Sequence, residues 1–166
     1  MNDLEVRPAT LADRLPIQRM LELYQHDLSD LWDQDLDLHG EYGYALDRYW
    51  RDPKCKAFAF LMAGKYAGFA LVDNAVSLPE NELWMGQFFV VKKYRRRGLG
   101  SVAAKRVFDQ VRGRWEVGQM PMNLPAQAFW RRVIGEYRAG NFVEHALDDA
   151  RWQGLLQCFD NTLAAT

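Results

Sequence analysis

Residues 81–114 read NELWMGQFFVVKKYRRRGLGSVAAKRVFDQVRGR, and no other stretch limits the choice of fold as much. An almost unbroken apolar run ends at Phe88-Phe89-Val90-Val91, as a central strand buried on both faces would. A basic turn with two glycines follows. Val102, Ala103, Ala104, Val107, Phe108 and Val111 then form a broad apolar stripe at helical spacing, up to a stop near Gly113. Strand, glycine turn, helix is the signature of an α/β sheet protein. It is also a generic site for phosphate. N–H groups at a helix start have no intrahelical partner, the helix dipole favours negative charge there, and glycine lets the main chain come close. The turn crowds Lys92, Lys93, Arg95, Arg96 and Arg97 together, and their mutual repulsion asks for a counter-charge. The motif has neither the Gly-Lys-Ser/Thr ending of a P-loop nor the G-x-G-x-x-G of a dinucleotide fold.

The flanking sequence supplies the other elements. LEVRP at the N-terminus reads as a strand. Residues 10–28 place Leu11, Leu15, Met20, Leu21, Tyr24 and Leu28 near helical spacing, with Thr10 and Asp13 forming a cap. SDLWDQDLDLHGEYGY is a loop with at most a short helix, and ALDRYWRD is a helical turn or two stopped by Pro53. KAFAFLMAG and KYAGFALVDNA form a hairpin joined at Gly64-Lys65. After the basic turn and its helix come a strand (WEVGQM), a helix with Pro125 in its first turn (NLPAQAFWRRVIGEYRAG) and two strands (NFVEHAL, RWQGLLQCF). The order β-α-(α)-β-β-β-α-β-α-β-β implies one α/β domain over residues 1–166, a mixed sheet with helices on its faces.

Charge and composition exclude several classes. A net charge of −1 argues against a non-specific nucleic-acid binder. Two cysteines, Cys55 and Cys158, fit reduced thiols rather than a disulfide framework. The N-terminus has no apolar signal-peptide region and no apolar run is long enough to span a bilayer, so the expectation is a soluble cytoplasmic protein with no membrane partner. His26, His39 and His145 lack metal-ligand spacing, among themselves or with the cysteines, and no metal is expected. Charge is nonetheless unevenly placed. Residues 27–47 carry Asp27, Asp30, Asp33, Asp35, Asp37, Glu41 and Asp47 with no Lys or Arg, whereas residues 92–114 hold nine basic residues against Asp109.

Arg95-Arg96-Arg97-Gly98-Leu99-Gly100, preceded by Tyr94, resembles the Arg/Gln-x-x-Gly-x-Gly/Ala pyrophosphate loop of the Gcn5-related N-acetyltransferases (GNAT). Downstream, Asn123-Leu124-Pro125-Ala126-Gln127-Ala128-Phe129-Trp130 is similar to that family's Asn-x-x-Ala-x-x-Leu/Phe-Tyr. The order of elements matches over nearly the whole chain. The resemblance implies the acyl-CoA N-acyltransferase fold, a mostly antiparallel mixed sheet with splayed central strands, and direct acetyl transfer from acetyl-CoA to an amine of a small molecule or peptide. Carried over, it assigns Phe88, Phe89 and Val90 to main-chain contacts with pantetheine and the acetyl carbonyl. Arg96, Arg97, Gly98, Leu99, Gly100 and Ser101 hold the pyrophosphate, Arg95 braces the loop, and Asn123 reaches the pantetheine arm. Dimers are common in the family, which allows a homodimer.

The acid–base groups depart from the family's pattern. Trp130 stands where a Tyr usually protonates the departing thiolate, and indole has no useful acidity. Tyr137 lies on the same helical face, about 10 Å further along the axis. Tyr137, another Tyr such as those of the EYGY loop, or water are the alternatives. Where many relatives have a Glu on the central strand, this chain has Gln87, which orients but does not accept a proton. Glu82 and Glu116 are the nearby carboxylates that could act as base. The segment after the first helix commonly lines the acceptor side of the cleft in this family. Trp32, Asp33, Asp35, Tyr42 and Tyr44 are therefore the expected contacts to a cationic amine. The alternative consistent with the missing acid and base is a non-catalytic acyl-CoA-binding module of the same fold.

Overall fold

The structure is a computed structural model and describes residues 3–163. Its strands are β1 (Leu4–Pro8), β2 (Lys56–Met62), β3 (Lys65–Asp73), β4 (Leu83–Val90), β5 (Arg114–Gln119), β6 (Val143–Asp148) and β7 (Gln153–Asp160). Its α-helices are α1 (Arg14–Trp32), the single turn α2 (Arg48–Arg51), α3 (Leu99–Gln110) and α4 (Leu124–Tyr137). The strands form one mixed sheet in the order β1-β2-β3-β4-β5-β7-β6. β1 runs antiparallel to β2, and β7 antiparallel to both β5 and β6, while β4 runs parallel to β5. The ladder between the two central strands covers Leu83↔Trp115 and Trp84↔Glu116, against six pairs between β5 and β7. So short a central ladder is what splayed strands require.

The chain forms two compact units, one running up to Leu71 and including Gln87–Gly100, the other comprising Val72–Gly86 and everything from Ser101 on. The core of the first joins Ile17, Met20 and Leu21 of α1 to Phe69 and Leu71 of β3, with Phe89 of β4 and Tyr49 of α2. Burial on α1 follows Ile17, Met20 and Leu21, with Gln25 one turn on. Leu11 and Leu15, expected on that stripe, are 71% and 57% exposed: Leu11 lies in a 3-10 turn (Leu11–Asp13) ahead of the helix and Leu15 off its buried face. The helix also runs past Leu28 to Trp32, where Asp33 caps it in the left-handed conformation (φ 49°). At its start the Asp13 carboxylate accepts the Thr10 N–H at 2.7 Å and the Arg7 guanidinium at 2.7 and 2.9 Å. The hairpin turn is Ala63-Gly64, one residue earlier than expected, since both have positive φ (49° and 73°) as a two-residue turn demands.

In the second unit Trp115 of β5 and Phe159 of β7 stack at 6.1 Å, and Phe108 of α3 meets both edge-on at 5.0 and 4.9 Å. The buried Asn161 side chain ends α3 by donating to the carbonyls of Phe108 (2.7 Å) and Val111 (3.1 Å) while accepting from Gly113 N–H (2.9 Å). β4 departs from the expectation of burial on both faces. Met85, Phe89 and Val90 are buried, but Gln87 and Phe88 are half-buried. An apolar run shows what a strand tolerates, not which of its faces is covered. No described helix is long and apolar enough to cross a membrane.

Candidate functional site

The basic turn divides its charges into two sets. Arg95 is tied to α1 and to the end of β4. Its Nε donates to the Val90 carbonyl at 2.6 Å, its Nη2 reaches Asp27 of α1 at 2.5 Å, and its guanidinium lies 5.2 Å over the Phe89 ring. Lys92 joins the same carboxylate at 3.3 Å. The Asp27 carboxyl is partly buried, which alone would raise its pKa, but Arg95 and Lys92 hold it below the ordinary range. Lys93 lies over the Tyr94 ring at 5.4 Å. Arg96 and Arg97 are exposed and make no ion pair among the described residues. The repulsion evident in the sequence is thus answered in part by one aspartate, while Lys93, Arg96 and Arg97 have no acidic partner among the described residues, the two arginines standing next to Gly98 in the chain.

The backbone there is shaped to match. Arg96 and Gly98 both have positive φ (61° and 76°), and α3 starts at Leu99, which is buried. A non-glycine residue in that region costs about 1–2 kcal/mol, so the surrounding contacts enforce the turn. Left-handed residues at a helix start aim successive N–H groups into one concavity that suits an anion.

The acidic segment is tied to α1. Glu22 accepts the N–H groups of Tyr42 (2.7 Å) and Gly43 (3.3 Å), Gln34 Nε2 donates to the Tyr42 carbonyl (3.1 Å), and His26 Nδ1 lies 3.2 Å from the Tyr42 hydroxyl. Asp37 closes the tip by accepting from His39 and Glu41 N–H at 2.8 and 2.9 Å. Asp33 and Asp35 stay exposed, Trp32 is 37% exposed, Tyr42 is half-buried, and Tyr44 packs on the core of its unit.

The expected acid–base groups are mostly engaged in structure. Glu82 is exposed and pairs with Arg114 at 3.1 Å. Glu116 is fully buried, and its carboxylate accepts from Ser77 N–H (2.8 Å), Leu78 N–H (2.7 Å) and Asn81 Nδ2 (3.0 Å). It therefore anchors the β3–β4 connection. The Tyr137 hydroxyl donates to Asp109 at 2.9 Å and accepts from Arg112 at 3.3 Å. Burial, reinforced by Asp109, raises its pKa. Trp130 is buried and packs 6.2 Å from Phe108. Asn123 caps α4, its Oδ1 accepting Ala126 N–H at 3.2 Å. Among the described residues no group of His, Cys, Asp and Glu could hold a metal.

Residues 17–135, well over half of the chain, match the family model described as Acetyltransferase (GNAT) family. The chain belongs to the GNAT acetyltransferase family. Solved GNAT structures share its fold. An acetyltransferase from Thermus thermophilus aligns with a TM-score of 0.64 at 21% identity, over 93% of this chain and 94% of that one. The spermidine N-acetyltransferase of Vibrio cholerae, solved with CoA and spermine, gives 0.61 at 12% identity over 95% of each chain. Ribosomal-protein-S5-alanine acetyltransferase from Vibrio fischeri gives 0.63 at 14% identity, over 98% of this chain and 95% of that one. No curated protein sequence matches this chain.

Sequence reasoning on this GNAT chain missed Asp27 as the partner of Arg95, and Glu22 as the residue that ties down the acidic segment. An acid on an amphipathic helix carries no mark of a partner 68 residues away. Only the lack of any Lys or Arg between residues 20 and 47 hinted that the acids of this helix are answered from elsewhere.

Proposed function

We propose that this chain is an acetyl-CoA-dependent N-acetyltransferase acting on the amine of a small molecule or peptide, its two units working as one acetyltransferase domain. The observation that carries the reading is the turn of Arg96 and Gly98, both at positive φ, opening α3 beside two uncompensated arginines. That combination fits the pyrophosphate of coenzyme A. Membership of the family supports the donor.

Arg96, Arg97 and the main chain from Gly98 to Ser101 are assigned to the pyrophosphate, the main chain of Phe88 to Val90 and Asn123 to the pantetheine arm, and Trp130 to cofactor binding as well. When bound, acetyl-CoA supplies the activated acyl group. Nitrogen–carbon bond formation at the acetyl carbonyl breaks its carbon–sulfur bond. The proton lost by the amine balances the one gained by the thiolate. Backbone N–H donors held in place polarise a carbonyl without any titrating group, and proximity supplies much of the rest. That suits a chain whose Glu82, Glu116 and Tyr137 are bound to structural partners. Gln87, half-buried on β4, orients the amine or a water.

The acceptor is read as cationic. Asp33 and Asp35 are exposed beside Trp32 and Tyr42, which suits an amine held by charge and ring faces. The spermine seen in the Vibrio cholerae enzyme supports a polyamine as the first acceptor to try.

Thiol release from acetyl-CoA with a panel of polyamines, amino acids and basic peptides tests the proposal. Turnover with at least one amine is expected, and Asp33→Asn with Asp35→Asn should raise KM for a polyamine several-fold. That Glu116 is buried among three structural donors and Tyr137 is held by Asp109 and Arg112 favours a second reading, a non-catalytic acyl-CoA-binding module. Stabilisation by acetyl-CoA without thiol release from any amine would select it.

A further inference from the structure

We infer that Asp27 is a positioning residue for coenzyme A, holding Arg95 and Lys92 out of the anion site so that Arg96 and Arg97 meet the phosphates. The inference rests on the proposed donor and extends it to a residue outside the glycine loop, on α1.

Each contact of Arg95 opposes a direct role with phosphate. Its Nε is spent on the Val90 carbonyl, Nη2 on Asp27, and its flat face on Phe89. A guanidinium held at three points in a partly buried place is a strut. It links the end of β4 to the residue entering the turn, and Asp27 fixes the strut to α1. Val91 N–H donates to the Ala67 carbonyl at 2.9 Å, so the strand end is tied to β3 as well. Arg95 itself is extended, and the positive φ of Arg96 (61°) follows it immediately, where the turn toward Gly98 and Leu99 begins. Lys92 contributes charge to the same carboxylate and is otherwise exposed. No other titratable group pairs with Asp27 among the described residues.

The sign of the effect separates this role from simple electrostatics. Removing Asp27's negative charge leaves the loop more basic, and by charge alone that tightens binding of a polyanion. Loss of positioning weakens it. Calorimetric titration with CoA is measured for the wild type, Asp27→Asn, Asp27→Glu, Arg95→Met and the double variant Asp27→Asn/Arg95→Met, each checked for folding by circular dichroism. Asp27→Asn should weaken CoA about tenfold, Asp27→Glu should recover part of the loss, and Arg95→Met should reproduce it. In the Arg95→Met background Asp27→Asn should add less than a twofold change. Unchanged or tighter CoA binding in Asp27→Asn overturns the inference. So does an equal loss in both backgrounds, which would mark a general effect on α1. Should Asp27→Asn not fold, Arg95→Met alone decides, since its binding within twofold of wild type overturns the strut. A wild-type protein that does not bind CoA removes the proposed donor and this inference with it. A wild type that binds, with an indifferent Asp27, removes the inference alone.

Discussion

Two glycines in strands show how differently a missing side chain is used. A Cβ on Gly68 of β3 would stand 2.2 Å from the Phe89 carbonyl oxygen and 2.8 Å from a Phe60 ring carbon. On Gly118 of β5 it would meet the Trp84 ring at 2.3 Å and the Trp152 ring at 2.9 Å. The first obstacle is backbone in a paired strand, while the second is two rings that can tilt. Gly68→Ala should therefore cost more, about 3 kcal/mol against about 1–2 kcal/mol for Gly118→Ala, by chemical denaturation. Glu116 belongs to the same scale. Its carboxylate accepts from three donors of the β3–β4 connection while fully buried. Glutamine would place an amide N–H against N–H donors, so Glu116→Gln should cost about 2–4 kcal/mol. If Glu116 were instead a free base, stability would hold and turnover would fall.

Among elements, the junction of β1, β3 and the start of α1 has the clearest pH signature. Asp13, 1% exposed, binds Arg7, Thr10 and the Tyr66 hydroxyl, the last at 2.7 Å. The Arg7 guanidinium, with Tyr66 and Thr10, holds its carboxyl well below the usual range despite burial. A carboxyl depressed in the folded state stabilises fully above its unfolded pKa of about 4 and loses that contribution as pH falls further. Thermal midpoints should therefore drop below pH 4, and Asp13→Asn should flatten that limb while lowering stability at pH 7. An unaltered acid limb in the Asp13→Asn variant would exclude this junction as its source. α1 shows how far element reading reached. Its existence was legible from apolar residues near helical spacing, and a cap from Thr10 and Asp13 standing three apart, although that cap closes a 3-10 turn (Leu11–Asp13) leading into α1. Met20 and Leu21 of the expected stripe are buried, but Leu11 and Leu15 are not, and only the packing with Phe69 and Leu71 brought in Ile17.

For the whole molecule, the boundaries between the two units fall inside β3, β4 and α3. Three elements are therefore continuous in the chain across the boundaries. One calorimetric unfolding transition is expected, and two would overturn the single-domain proposal. Acetyl-CoA at a hundred times its Kd should add about 2.7 kcal/mol, seen as an upward shift of that transition.

The sequence by itself determined the order of strands and helices, the glycine turn that opens α3, and the family. Those depend on local periodicity, on φ preferences and on contiguous motifs. Tertiary structure decided which charges remain available. The five basic side chains between positions 92 and 97 are equal in sequence, but Asp27 pairs with Lys92 and Arg95, whereas Lys93, Arg96 and Arg97 make no ion pair among the described residues. In the same way Glu116, Glu82 and Tyr137 read alike as candidate acids and bases in sequence, and the fold gives them different surroundings: Glu116 buried among donors, Tyr137 held by Asp109, Glu82 exposed beside Arg114. A residue's chemistry is written in its side chain, but its freedom to act depends on neighbours distant in sequence, and only the folded chain brings them within hydrogen-bond reach.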